Sequence, residues 1–503
     1  MARIGRVRFS RSGDGKPGDS RDRISALPDS ILHLILVLVP LVDAVRTCVL
    51  SRRWRGVWTR LPLLFFDDVQ APRVSRFPDL VDGVLRGYAN DDVDMVMGDL
   101  FVSVYHRDSV GDDPVSFVAT LANLAAQRIS GRFGLYLSPA AVDLYPKELL
   151  KNLYPDPEEE AVTLQLPCFP RATELSITFM GVDLRMPTTE TFAKLTKLFI
   201  SGVRFTDGGE EISQVVSLCC PCIETLELHS ISGLRMLTVL ARSLVSMVLS
   251  RILVLEQLLV AAGNLRHMLV DRCFVLSNTR TVMFLSVPAL EQLLWQDRCP
   301  EVIQHWMLPS CLRRLVVAEL ELNYLFAAGG RSNFARILQL FKCVDTLRLE
   351  FPNAQDRTDQ ENLIENVNLP CHSELEFMLN HTRHTFGPTI LNLLRKCSCV
   401  KKVTLQCSRE VGYIPCPSNC NCRQLSVWTD NAINLDSLEW LAMFEFRATQ
   451  DERSFIYYIM RNAKHLRKVS ILFSLGANPT RRFFRKLCKL STSSGCTVEC
   501  YSH

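Results

Sequence analysis

The chain has 503 residues, of which 48% are apolar and 22% are charged. This composition gives ample material for a hydrophobic core and excludes a chain that is mainly disordered. The formal net charge of +4 is too close to zero for a protein built around nucleic acid, so we expect no nucleic-acid partner.

The cysteines and the apolar runs indicate the compartment. The 19 cysteines have no regular spacing, and residues 1–23 lack the apolar core of a secretion signal. We therefore expect reduced thiols in a protein of the cytoplasm, the nucleus or both.

The strongest apolar run spans Ile31 to Val42 and is interrupted by His33 and Pro40. It is too short to cross a membrane, so we interpret it as a buried helix and expect no membrane partner.

The N-terminal residues predict a tail followed by a helical unit. Residues 1–21 are rich in Arg, Gly and Ser and predict a disordered basic tail, with a nuclear import signal as the alternative. Residues 22–61 predict a compact helical unit. Its first helix is expected to begin at the Leu-Pro-Asp tripeptide 27–29, because proline is tolerated in a first turn. The helix should end near Val39, before Pro40.

Two further helices are predicted in this unit. The second runs from Asp43 to Leu50, with Asp43 as its N-terminal cap. The third begins at Ser51 and carries Trp54 and Trp58 one turn apart on the same face.

The first helix is apolar almost all round. Between Ile31 and Val39 the one non-apolar residue is His33. A unit of about forty residues can cover one face of such a helix but not its whole circumference. Exposing several Leu, Ile or Val side chains forgoes about 1.5–3 kcal/mol each. The uncovered face is therefore predicted to pack on later parts of this chain or on another protein.

The next hundred residues carry the weakest pattern. We interpret residues 62–160 as irregular first repeats, with a helix expected at Ser116–Ile129 and a strand at Phe133–Leu137. The acidic stretch 91–114 and the Pro- and Glu-rich stretch 154–160 are interpreted as surface insertions.

From residue 172 onward a six-residue pattern recurs, in which the first, fourth and sixth residues are apolar. The fourth and sixth residues of an extended strand point to one side, so each copy predicts a strand with one buried face. The ten copies begin at Ala172, Leu195, Ile223, Leu244, Leu265, Leu290, Leu312, Val344, Val400 and Leu466.

The spacing of these copies is typical of leucine-rich repeats. Successive copies up to residue 312 are separated by 21 to 28 residues, and later gaps are wider. Stacked units would bury their apolar faces against helices of the return segments, such as Ile212–Leu218 and Ile390–Leu394. An ordinary α/β domain with similar strands is the alternative.

Residues 22–68 closely resemble an F-box of the kind found in plant F-box proteins with leucine-rich repeats. The residues that carry the resemblance are Asp-Arg-Ile-Ser at 22–25, Leu-Pro-Asp at 27–29, Ala-Val-Arg-Thr at 44–47, Val-Leu-Ser-Arg-Arg-Trp at 49–54, and Trp58. Residues 219–226 are similar to the repeat junction of that family, and residues 435–466 resemble its C-terminal FBD segment.

The resemblance implies an α/β fold in which a three-helix F-box precedes an irregular leucine-rich-repeat solenoid. Its domains would be a disordered basic tail at 1–21, the F-box at 22–61, the irregular first repeats at 62–160, leucine-rich repeats at 161–420 and the FBD-like segment at 421–503.

The resemblance also implies the function of a substrate-recognition subunit in an SCF-type cullin–RING ubiquitin ligase. The F-box would bind a Skp-type adaptor and, through it, cullin, while the repeats would hold an unidentified target protein. Trp58 would pack inside the unit. The residues implied to contact the adaptor are Leu27, Pro28, Ile31, Leu32, Ile35, Val45, Val49, Ser51 and Trp54.

We expect no catalytic residue, no cofactor and no metal on this chain. Cys416, Cys420 and Cys422 lie close together with Cys407 nearby, but the second ligand pair that a zinc site requires is missing. The rival interpretation is a scaffold or inhibitor, in which the F-box-like helices cap the repeats and bind no adaptor.

Overall fold

Three short helices lead into a mixed α/β region dominated by strands. In this computed structural model the described residues are 24, 26–69, 77–91, 97–105, 114–137, 163–180, 182–252, 254–275, 277, 280–318, 335–351, 368–380, 386–397, 399–408, 433, 435–477 and 479–502. The predicted tail at 1–21 and the stretch 154–160 lie outside them. In these ranges no helix is long and apolar enough to cross a membrane.

The N-terminal helices are α1 (Asp29–Val37), α2 (Leu41–Arg46) and α3 (Arg52–Val57). Short 3-10 turns follow α2 at Thr47–Val49 and α3 at Trp58–Arg60. The later helices are Phe77–Asp91, Pro114–Arg128, Glu210–Gln214, Ala335–Leu338, Gly387–Arg395, Gln450–Asn462 and Arg481–Ser494.

Sixteen parallel strands form the main sheet, and each neighbour in the sheet is the next of these strands along the chain. They are Leu63–Asp67, Asp99–Val104, Arg132–Leu137, Glu174–Phe179, Lys197–Ser201, Thr225–His229, Ser246–Ser250, His267–Asp271, Gln292–Gln296, Leu312–Ala318, Cys343–Phe351, Cys371–Asn380, Lys402–Ser408, Trp440–Phe446, Lys468–Phe473 and Thr497–Tyr501.

All ten predicted strands are present in this sheet. In every copy of the pattern the first, fourth and sixth residues are buried, as in Leu195, Leu198 and Ile200. In-register pairing aligns equivalent positions of successive copies, so Leu198 lies beside Leu226. The buried rows therefore form one continuous layer of the core.

The return segments differ from the prediction in the middle of the chain. Instead of helices, four units contribute strands to a second parallel sheet. Units about 21 to 25 residues long leave too little chain for a helix after the first strand and its turns. Helices are present where they were predicted, at Glu210–Gln214 and Gly387–Arg395. The second-sheet strands are Met236–Val239, Gln257–Ala261, Val282–Ser286 and Val302–Met307, and Thr163–Gln165 pairs separately with Asp183–Arg185.

The interpretation of 91–114 as a surface insertion is wrong for its middle part. Strand Asp99–Val104 lies inside the main sheet between two other strands, and Leu100 and Val102 are fully buried. Its period-2 apolar alternation is masked in the sequence by the acidic residues around it. The helix and strand predicted nearby are present at Pro114–Arg128 and Arg132–Leu137.

The predicted cap of the second helix is also wrong. Helix α2 begins directly after Pro40, two residues before Asp43. Asp43 lies in the first turn and accepts a hydrogen bond from the Arg46 guanidinium at 3.0 Å. Proline fixes its own backbone angle and so starts this helix earlier than a carboxylate cap would.

A fully buried carboxylate, Asp297, joins two successive units. Its oxygens accept the backbone N–H groups of Cys273, Phe274 and Arg298, the last at 2.6 Å. Its own carbonyl accepts the Trp295 indole N–H at 3.0 Å. Burial raises the pKa of Asp297 to about 7, although the three N–H donors lower it.

We predict that Asp297→Asn is destabilising by about 2 kcal/mol, because both side-chain oxygens face backbone N–H groups and the amide would place its NH2 against one of them. The raised pKa means that the folded chain keeps this proton between about pH 4 and pH 7 while the unfolded chain loses it. The stability from Asp297 is therefore present at low pH and lost as pH rises through 7. Urea unfolding at pH 5 and pH 8 measures this.

The stability gap between wild type and Asp297→Asn should be larger at pH 5 than at pH 8. Asp43→Asn, at an exposed position, is the matched control and should change the free energy of unfolding by no more than about 0.5 kcal/mol. A gap for Asp297→Asn that does not change with pH would contradict the assignment.

Candidate functional site

Helix α1 has one buried and one exposed apolar face. Leu32 and Leu36, one turn apart, are buried and join the same core as Ala44 of helix α2. The side chains of Ile31 and of the residues three, four and seven positions after it lie on another side of the helix, within an arc of about 100°. These exposed side chains are Ile31, Leu34, Ile35 and Leu38, and Leu38 is 85% exposed.

The turn after helix α2 adds two more exposed apolar side chains. Val49 is 82% exposed and Leu50 is 69% exposed. We call these two residues, together with Ile31, Leu34, Ile35 and Leu38, the exposed apolar set. Burying six such side chains would gain about 1.5–3 kcal/mol each, so leaving them in water is costly. An apolar surface of this density is typical of a protein contact.

An arginine holds the turn that precedes helix α1. Arg53 of helix α3 donates from Nε and Nη2 to Asp29 Oδ1 at 3.0 and 2.5 Å. Its Nη2 also donates to the carbonyl oxygen of Leu27 at 2.5 Å. The Arg53 guanidinium lowers the pKa of Asp29 through this hydrogen bond. The first and third helices are thereby tied together, with Pro28 exposed between the two anchored residues.

The predicted contact residues fall into three groups. Five of them are exposed, namely Pro28, Ile31, Ile35, Val49 and Ser51. Two are half-buried, namely Leu27 and Val45. Leu32 and Trp54 are buried, so as placed they support the surface from beneath and do not form it. Their assignment as contact residues is revised for that reason. Trp58 is buried, as expected for a packing residue.

Three members of the exposed apolar set were not among the predicted contacts: Leu34, Leu38 and Leu50. The spacing of the first two from Ile31 would have found them, because residues three and seven apart share a helix face. Leu50 carries no such signal, since it lies in a turn.

Among the described residues, no group of three or more His, Cys, Asp and Glu side chains is placed to hold a metal ion. Cys416, Cys420 and Cys422 lie outside the described residues.

Comparison with known proteins identifies two domains. Residues 24–66 match the F-box domain, and residues 434–471 match the FBD. An F-box/FBD/LRR-repeat protein of Arabidopsis thaliana is 25% identical over 468 residues, which are 90% of this chain and 89% of that protein. A second is 31% identical over 217 residues, 42% of this chain and 44% of that protein.

A third F-box/FBD/LRR-repeat protein of Arabidopsis thaliana is 61% identical over 49 residues, which are 10% of this chain and 13% of that protein. The resemblance inferred from the sequence is thus confirmed.

The two faces of helix α1 predict effects of different size on the free energy of unfolding. Leu32→Ala should lower the free energy of unfolding by about 3 kcal/mol, because it leaves a cavity in the core. Leu38→Ala should change it by no more than about 0.5 kcal/mol, because the side chain is already in water. Urea unfolding followed by tryptophan fluorescence measures both, since Trp54 and Trp58 are buried in this unit. Equal losses in the two variants would contradict the two-sided helix.

Proposed function

We propose that this chain, an F-box and FBD protein homologous to plant F-box/FBD/LRR-repeat proteins, is the substrate-recognition subunit of an SCF-type ubiquitin ligase. F-box domains typically bind Skp-type adaptors, which link them to cullin. The chain would hold a target protein close to the ligase, so that its contribution to catalysis is proximity. It would supply no bond-making residue itself.

The observation that carries this proposal is the exposed apolar set. The buried side of helix α1 packs within the three-helix unit, and the other side remains free to contact a second protein. The Arg53 hydrogen bonds hold the Leu27–Pro28 turn beside that side. A rigid apolar surface loses little conformational entropy on binding, which favours a stable complex.

We infer that the main sheet and its return segments form a leucine-rich-repeat solenoid. Equal registers between successive strands and the recurring buried triplet support it. The domain limits we propose are the F-box at 22–61, irregular first repeats at 62–160, repeats at 161–420 and the FBD-like segment at 421–503.

The outer face of the main sheet would bind the target. Val248, Leu269 and Leu294 lie side by side on neighbouring strands and are half-buried, so they form an apolar stripe. Ion pairs border the stripe at Lys197–Glu227 and Arg314–Glu376, both at 2.7 Å. Paired charges expose little net charge, so this stripe favours a target segment with apolar side chains.

The rival function is a scaffold in which the three helices act only as a cap. Helix α2 contacts strand Leu63–Asp67, which is the first edge of the main sheet, and this contact favours a capping role. Capping does not account for the exposed apolar set, because a cap buries its apolar side and exposes a polar one.

We predict that Leu27→Ala combined with Pro28→Ala abolishes co-purification with a Skp-type adaptor while the rest of the chain stays folded. The double substitution removes the apolar side chains of the turn and keeps the Leu27 carbonyl and the Asp29 carboxylate to which Arg53 donates. Affinity capture of the full-length chain, with circular dichroism to verify folding, measures this outcome. Adaptor binding by a folded double variant would refute the assignment of the turn.

We also predict that Leu38→Asp costs about 2 kcal/mol or more in adaptor binding, because it places a charge on the apolar face. Leu475→Asp is the matched control, since Leu475 is 86% exposed and lies far along the chain, at the other end of the sheet. Titration calorimetry should give wild-type affinity for the control. Equal losses in both variants, or none in either, would favour the scaffold.

A further inference from the structure

Four cysteines lie in one row across four neighbouring strands. Cys343 pairs directly with Cys371 in the register of the main sheet. Leu312 pairs with Val344, so the preceding residue, Cys311, lies beside Cys343. The pairing of Glu374 with Lys402 continues the row to Cys399. The sequence alone hides this row, because the cysteines are separated by 28 or 32 residues.

The sulfur atoms at one end of this row are close together. The Cys311 thiol donates a hydrogen bond to Cys343 Sγ, and the two sulfur atoms are 3.0 Å apart. Cys371 and Cys399 are also joined by a side-chain hydrogen bond. Cys311, Cys371 and Cys399 are exposed and Cys343 is half-buried, so small solutes can reach them.

The geometry of this row favours a disulfide between two neighbouring cysteines over a metal site. Neighbouring strands are spaced by about 4.8 Å, so the sulfur atoms of successive cysteines lie along a line. Sulfur atoms in a line cannot surround one metal ion. A disulfide needs Cα atoms about 4.4–6.8 Å apart, which neighbouring strands supply. The 3.0 Å sulfur–sulfur distance then has to shorten by about 1 Å, within reach of a small side-chain rotation.

The two sulfur atoms of this pair have different surroundings. The Cys343 sulfur accepts the hydrogen bond, and Asp345 Oδ1 lies 3.6 Å from Cys311 Sγ. These neighbours raise the pKa of Cys311 to about 12. We assign the first attack to the Cys343 sulfur, because the hydrogen bond engages the proton of Cys311, and Cys311 is then the resolving thiol.

We propose that Cys311 and Cys343 are an oxidation site at which a hydroperoxide forms a reversible cross-strand disulfide. With hydrogen peroxide as the oxidant, the Cys343 sulfur attacks one oxygen, the O–O bond breaks, and a sulfenic acid and one water form. The Cys311 sulfur then attacks the sulfenic sulfur and expels a second water. Two thiols are oxidised and one peroxide is reduced, and the bond clamps two neighbouring strands.

The test uses the full-length chain, reduced and then treated with hydrogen peroxide. Free thiols are blocked with N-ethylmaleimide, and the digested chain is analysed by mass spectrometry. We expect a linked pair of peptides carrying Cys311 and Cys343, lighter than their sum by two hydrogen atoms and restored by a dithiol reductant. Alkylated Cys311 should fall about tenfold, while the exposed Cys222 stays alkylated.

Two variants distinguish a specific disulfide between Cys311 and Cys343 from unspecific oxidation of thiols. Cys343→Ser should leave Cys311 free to be alkylated, and Cys371→Ser should retain the 311–343 link. Both substitutions replace sulfur by oxygen at positions that are not fully buried, and thermal unfolding verifies that each variant is folded. Equal alkylation of Cys311 and Cys222 after oxidation, or Cys311 linked to several cysteines at similar yield, would overturn the proposal.

Discussion

The structure depends on a helix that is apolar on more sides than its own domain can cover. Leu32 and Leu36 bury one side of helix α1 against the other N-terminal helices, and helix α2 contacts the first strand of the sheet. The same sequence leaves Ile31, Leu34 and Leu38 in water. A helix that is held on one side and exposed on the other is fixed in orientation, so the energetic cost of its exposed side remains while that side faces water.

The sheet extends this arrangement through a single core. Leu61 and Leu64 continue the buried layer from the N-terminal helices into the first strand, and Leu198 and Leu226 continue it between later units. Each unit buries its apolar face only because its neighbours do so in the same register. The F-box therefore lies at the first edge of one continuous sheet.

Sequence periodicity predicted the regular units well, because a buried strand leaves a repeating apolar triplet. It missed strand Cys371–Asn380, where the buried His372 takes the first apolar position, and strand Asp99–Val104, which lies among acidic residues. At the candidate site the family motif indicated helix α1, but it could not separate the buried Leu32 from the exposed Ile31. That distinction depends on which side the later residues cover, and no local pattern records it.

Hydrogen–deuterium exchange of the full-length chain, with and without a purified Skp-type adaptor, tests the central claim most directly. The account predicts that the adaptor slows exchange in residues 27–50 and leaves the strands from Glu174–Phe179 onward unchanged. Slowed exchange confined to the sheet, or no change in residues 27–50 at saturating adaptor, would contradict it.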